Sequence, residues 1–311
     1  MMRVAQHVRL VAVGAMLALA RSAVAQTPPV PPAAPQNPSP MVENSRAHAR
    51  LPETPIAGER RTFTGPLDKP VQVFVPAAAV RSRTFDLVIH FHGAAFIPES
   101  AVARLGHGTV AATVSLAPGS GVYDRTFSNP AVYDTLVADI RREVSAIAQR
   151  SVAFRRVTLV GFSAGHGAIR AILRDSLHFA SVSAVLLLDG LHTGYVPDGT
   201  VIANGGTIDE SNLEVFVRFA RAAMRNEKRI LITHSEIFPG TFASTTETTD
   251  YLVRTLGLHR TPVLRWGPGG MQQLSDVRQG QLEIMGFAGN TAPDHIDQFH
   301  GMPDFLARLW K

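Results

Sequence analysis

The chain has 311 residues, 45% of them hydrophobic and 18% charged, with a formal net charge of +5 and no cysteine. That composition supports one large folded domain or two modest ones and excludes a disordered acidic or basic tail protein. The missing thiol excludes disulfide scaffolds, thiolate zinc sites, iron–sulfur clusters and cysteine nucleophiles together, so serine is the first nucleophile to look for.

At the N-terminus, Arg3 and Arg9 accompany the apolar run Leu10–Ala20, and Ala23-Val24-Ala25 places small residues before Gln26. This pattern predicts a secretory signal over residues 1–25, cleaved after Ala25. The run is too short for a bilayer span, which needs about 20 apolar residues. Cleavage removes three arginines and no acid, leaving 27 basic against 25 acidic residues. So small an excess gives no electrostatic footprint for nucleic acid. No later stretch has the apolar length of a membrane span. The mature protein is expected to be secreted or periplasmic.

Residues 26–56 follow as a proline-rich spacer, with seven prolines between Thr27 and Pro40. Such a stretch lacks the backbone donors for a ladder or a helix. Residues 57–311 then run without a second linker or a repeat and are expected to form a single domain. Seven apolar runs predict strands: Val71–Val75, Phe85–Phe91, Val110–Leu116, Val157–Gly161, Ala184–Leu188, Arg229–Thr233 and Gln281–Phe287. Nearly continuous apolar character implies strands covered on both faces.

Helix signals fall between them. Asn129-Pro130 caps a stripe of Val132, Leu136, Ile140, Val144 and Ile147. Thr207–Glu210 and Ser244–Glu247 have capping-box spacing, and Pro303 is placed to begin a last helix. The predicted class is α/β: a doubly wound, mostly parallel sheet with helices on both faces. Its ligand site should lie at the carboxyl ends of the strands.

One motif carries chemistry. Val157-Thr-Leu-Val-Gly-Phe-Ser-Ala-Gly165 is a strand running into G-x-S-x-G, and a helix-competent run follows it. A serine on a sharp strand-to-helix turn crowds its neighbours at −2 and +2, where only glycine-sized residues fit. That turn exposes Ser163 and aims the Ala164 N–H at a forming oxyanion.

With this motif and His90-Phe-His-Gly93, which closes a strand about 70 residues earlier, the sequence resembles the α/β-hydrolase family from about residue 60 onward. The resemblance implies a second oxyanion donor at the Ala94 or Ala95 backbone N–H. Gly93-Ala94-Ala95 departs from the lipase-type H-G-G-G run. His90 and His92 also form H-x-H, a pattern that two metal ligands on one strand would show. No carboxylate–histidine continuation accompanies it, so no metal and no cofactor are expected.

In this fold the triad runs Ser, then Asp or Glu, then His along the chain. The base is expected at His295, in a turn-rich segment past the last strand, with His300 as the alternative. The acid is expected at Asp189, which ends an apolar run, with Glu236 as the alternative. Phe96, His166, His192 and Tyr195 are candidate pocket residues. These parts imply a serine hydrolase acting on a small-molecule or polymer-borne carboxylic ester. A peptidase or amidase would use the same groups, and a non-catalytic binding protein is the reading from a different class.

Overall fold

The computed structural model describes residues 50–106 and 108–311. The expected signal, and the expected spacer as far as residue 49, lie outside the described residues. Among the described residues, no helix is long and apolar enough to cross a membrane.

The apolar runs form the centre of one sheet. Strands β3 (Phe85–Phe91), β4 (Thr109–Val114), β5 (Phe154–Phe162), β6 (Ala184–Leu188), β9 (Arg229–His234) and β12 (Leu282–Phe287) are all parallel, in the order β4-β3-β5-β6-β9-β12. Side chains alternate between the two faces, as the pleat requires. Leu87, Ile89 and Phe91 enter one apolar cluster, and Val88 enters the other. Both faces are buried, which is why these strands carry little polar punctuation.

Two strands extend the sheet on each side, and all four are antiparallel to their neighbours. β2 (Val71–Pro76) pairs with β4, and β1 (Gly58–Phe63) pairs with β2. At the other side β11 (Gln272–Gln279) pairs with β12, and β10 (Thr261–Trp266) with β11. β1, β10 and β11 are additions to the sequence expectation. β1 and β10 are largely exposed, and β11 buries only two of its eight residues, so none has the continuous apolar run that marks a central strand.

Helices cover both faces. Helices α1 (Phe96–Leu105), α8 (Ala292–His300) and α9 (Met302–Leu309) contribute Ile97, Phe299 and Phe305 to one cluster. Helices α2 (Ser120–Phe127), α3 (Pro130–Ala148), α4 (His166–Arg174) and α6 (Glu214–Met224) supply Tyr123, Leu136, Ile169 and Phe216 to the other. Asn129 caps α3 by accepting the Ala131 N–H at 3.1 Å, and Leu136, Ile140, Val144 and Ile147 are buried as the stripe predicted. The Ser244–Glu247 capping box is complete ahead of α7 (Thr245–Thr255).

Two expectations are corrected. Thr207 and Ile208 form a short strand, β8, paired with β7 (Tyr195–Val196), so Thr207 does not cap a helix. Asp209 accepts the Ser211 N–H instead, and α6 starts at Glu214. The segment expected as turns before His300 is the helix α8, closed by reciprocal caps between Thr291 and Asp294.

Candidate active site

The chemistry-bearing residues all follow carboxyl ends of parallel strands, where a doubly wound sheet leaves its binding crevice. Ser163 follows β5 and Asp189 follows β6. The two strands are in register, with Phe162 paired to Leu188, so the serine and the aspartate leave adjacent strands at the same level. His295 is carried back to this edge by α8, after β12.

Ser163 has φ +47°, rare for a residue with a side chain. It starts a 3₁₀ turn, Ser163–Gly165, that feeds directly into α4. A Cβ at Gly165 would sit 2.1 Å from the Phe91 carbonyl oxygen, and one at Gly161 would sit 3.0 Å from the Gly165 carbonyl carbon. A side chain at Gly165 would collide with the backbone, and one at Gly161 would be tight against it; the turn leaves Ser163 partly exposed and sets Ala164 at the start of the helical N–H array.

Asp189 is only 1% exposed, also has positive φ (+42°), and is surrounded by donors. Its Oδ1 accepts from the Ser235 N–H at 2.9 Å and the Thr245 hydroxyl at 2.6 Å. Its Oδ2 accepts from the Ser235 hydroxyl at 2.7 Å and lies 2.7 Å from His295 Nδ1. Burial acts to raise the Asp189 pKa, but the bonds from His295, Thr245 and Ser235 outweigh it and hold the carboxyl well below its usual range. Ser235 and Thr245 escaped the sequence reading. Their only signals were a polar residue just past an apolar strand and a threonine inside a capping box.

The alternative residues stand elsewhere. His300 Nδ1 accepts the Leu51 N–H at 3.1 Å, and its ring meets Phe96 edge-on. Glu236 is exposed and pairs with Gly289: its N–H donates to the Gly289 carbonyl, and its Oε2 accepts the Gly289 N–H.

The loop after β3 turns sharply, with His92 at φ +73° and Gly93 at φ +134°. A Cβ on Gly93 would meet the Phe299 ring at 2.6 Å. Ala94 is exposed, and Ala95 directly precedes α1. The H-x-H histidines have separate partners. His92 Nδ1 lies 3.1 Å from the Tyr123 hydroxyl, which itself accepts the Leu116 N–H. His90 is fully buried, neither of its ring nitrogens has a hydrogen-bond partner among the described residues, and it stacks on Phe299 at 5.1 Å. Phe299 stacks on Phe162 at 4.7 Å, and Phe162 lies 4.6 Å from the His295 ring. A column of rings thus backs the histidine that holds Asp189.

A cavity of about 580 Å³ opens beside Ser163, lined in part by His166, His192, Arg170 and Phe242. Two of the four expected pocket residues, His166 and His192, are here. Phe96 and Tyr195 are not. Phe96 packs on the cluster under α1 and against His300, while Tyr195 is buried and donates to Glu247 Oε2 at 2.9 Å.

Three buried histidines have consequences for acid stability. Burial is the largest influence on each, pushing the pKa values of His90 and His166 down to about 3 and that of His234 to about 4, from 6.5. Each binds a proton more readily unfolded than folded. Their contribution is therefore complete above pH 6.5 and is lost as pH falls from there toward the folded values, by about 1.4 kcal/mol per pH unit per histidine. Urea unfolding of His90→Leu between about pH 4.5 and 6 should show a slope of stability against pH shallower by that amount. An unchanged slope would place this proton uptake elsewhere.

No model of a known protein family matches the chain, and no curated protein matches it. Similar solved structures exist at low identity. A structure of fungal esterases from Rhizomucor miehei is 11% identical with a TM-score of 0.45, covering 83% of this chain and 84% of that one. The enterobactin esterase of Shigella flexneri is 14% identical with a TM-score of 0.48, and 84% of this chain matches 61% of that one. An arylesterase is 12% identical with a TM-score of 0.43, covering 84% and 88%.

Proposed function

We propose that the chain is a secreted serine hydrolase that cleaves a carboxylic ester, with Ser163 as nucleophile, His295 as base and Asp189 as the acid that orients it. The observation that carries this reading is the 2.7 Å contact between His295 Nδ1 and the buried Asp189; Ser163 follows the neighbouring strand on a positive-φ strand-to-helix turn.

The chemistry follows from those groups. Asp189 is acceptor-only as an anion, so His295 donates Nδ1–H to it and keeps the Nε2 lone pair for the serine proton. Ser163 Oγ attacks the acyl carbon as His295 takes its proton. The oxyanion is met by the Ala164 N–H and by that of Ala94 or Ala95. The imidazolium returns the proton to the leaving alcohol, and water repeats the sequence on the acyl-enzyme.

The test is labelling of the folded protein with a fluorophosphonate probe, with Ser163→Ala as control, alongside turnover of p-nitrophenyl acetate. Labelling confined to Ser163 together with turnover supports the proposal. A folded protein that takes no label overturns it.

A further inference from the structure

The cavity beside Ser163 has a distinct chemistry. Its lining includes side chains whose hydrogen-bonding capacity is partly committed and partly left over. Both amide protons of Asn212 are used, toward Asp209 Oδ2 at 2.7 Å and Thr193 Oγ1 at 3.3 Å, so its Oδ1 remains as an acceptor. His192 Nδ1 lies 3.1 Å from the Ala243 carbonyl, which places a ring proton there. Burial, the largest influence on His166 and His192, lowers both pKa values and keeps both rings neutral.

Donors come from Ser120 and from Arg170. Arg170 Nε donates to Asp124 at 2.6 Å, and the same carboxylate also pairs with Arg174, so the guanidinium that brings N–H groups to the cavity is tied back to a shared partner. At the rim stands Phe242, 40% exposed, its ring edge-on to His192 at 5.0 Å. The ring of Phe242 would take either an alkyl chain or the C–H face of a sugar; the donors and acceptors beside it are what tell the two apart. An alkyl chain would strand the buried polar groups without water or a partner. A lone carboxylate would have to compete with Asp124 for Arg170.

From this we infer that the cavity binds a neutral polyhydroxylated group, so that the substrate is an ester of a sugar or comparable polyol, seated with one face on Phe242. This rests on the ester-hydrolase reading and assigns the substrate class of the same site. Hydroxyls both donate and accept, which matches the mixed lining, and a pyranose ring presents an apolar C–H face to an aromatic one.

A matched pair of substrates tests it. 6-O-Acetylglucose and hexyl acetate are both acetates of six-carbon primary alcohols and differ in the hydroxylated ring. The sugar ester should have the higher kcat/KM by at least about tenfold. Phe242→Ala and, separately, Asn212→Leu should each shrink that ratio by at least about fivefold. Phe242→Ala serves where the loop around Asn212 fails to fold. Equal or better turnover of hexyl acetate, in a protein that still takes the fluorophosphonate label, overturns the substrate class and leaves the hydrolase reading standing. So does preference for a carboxylate-bearing ester such as a monoalkyl succinate. If the protein takes no label and shows no turnover, the hydrolase reading fails. Calorimetric binding of 6-O-acetylglucose to the Ser163→Ala protein then decides the cavity on its own, with binding weakened by Phe242→Ala supporting it and no binding overturning it.

Discussion

Ser163→Ala is expected to lower kcat by about 10⁴- to 10⁶-fold while changing stability by less than about 0.5 kcal/mol. The hydroxyl is partly exposed and its removal leaves no large void, so thermal unfolding should barely move. His295→Ala should cost a rate factor of the same order. The Ser163→Ala/His295→Ala double variant should be little worse than either single one, because groups that act as a unit are not additive. His300→Ala should lose less than about tenfold in kcat, since its ring packs on Phe96 and its Nδ1 is taken by the Leu51 N–H. Steady-state kinetics on p-nitrophenyl acetate would separate these outcomes. Equal losses at His295 and His300 would contradict the assignment of the base.

Asp189 should show two effects that different substitutions pull apart. Asp189→Asn keeps a side chain that tolerates positive φ, so the fold should survive. It removes the anion facing His295 Nδ1, and kcat should fall by about 10⁴-fold. Asp189→Ala should lose comparable activity and also destabilise the protein by about 3 kcal/mol, because the Ser235 N–H and the Ser235 and Thr245 hydroxyls lose their shared acceptor in a buried place. The pH dependence has a definite sign. The folded pKa lies below 3.8, so the stabilisation is present above 3.8 and lost as pH falls through the folded value. Urea midpoints for the two variants and the parent, at neutral pH and in acid, would check this. Equal stability of the Asn and Ala forms would show that the donors around Asp189 find other partners.

The central strands were legible because burial on both faces forces an unbroken apolar run, as in Val185-Leu-Leu-Leu188. The turn that carries Ser163 was legible because its crowding favours glycine on both sides. β4 ends earlier than its apolar run predicts: the strand stops at Val114, and the Leu116 N–H turns to the Tyr123 hydroxyl. Helix α8 hid behind Pro293 and two aspartates that look like turn residues. Its stability comes from caps between Thr291 and Asp294, whose value depends on a backbone geometry that spacing alone did not single out. The setting of Asp189 was the least readable part. Its donors lie 46 and 56 residues away in sequence and are brought together by sheet register. No local pattern encodes such a meeting.

Arg50 Nε donates to Asp297 at 2.7 Å, its Nη2 reaches the Pro293 carbonyl, and the Leu51 N–H binds His300. All three anchors are on the short helix that carries His295. The path by which the polypeptide enters the domain is thus mechanically in series with the proposed base. Load or displacement arriving through residue 50 would reach that helix before any strand of the sheet, and a chain shortened to begin at residue 57 would lose a buttress of the proposed catalytic centre.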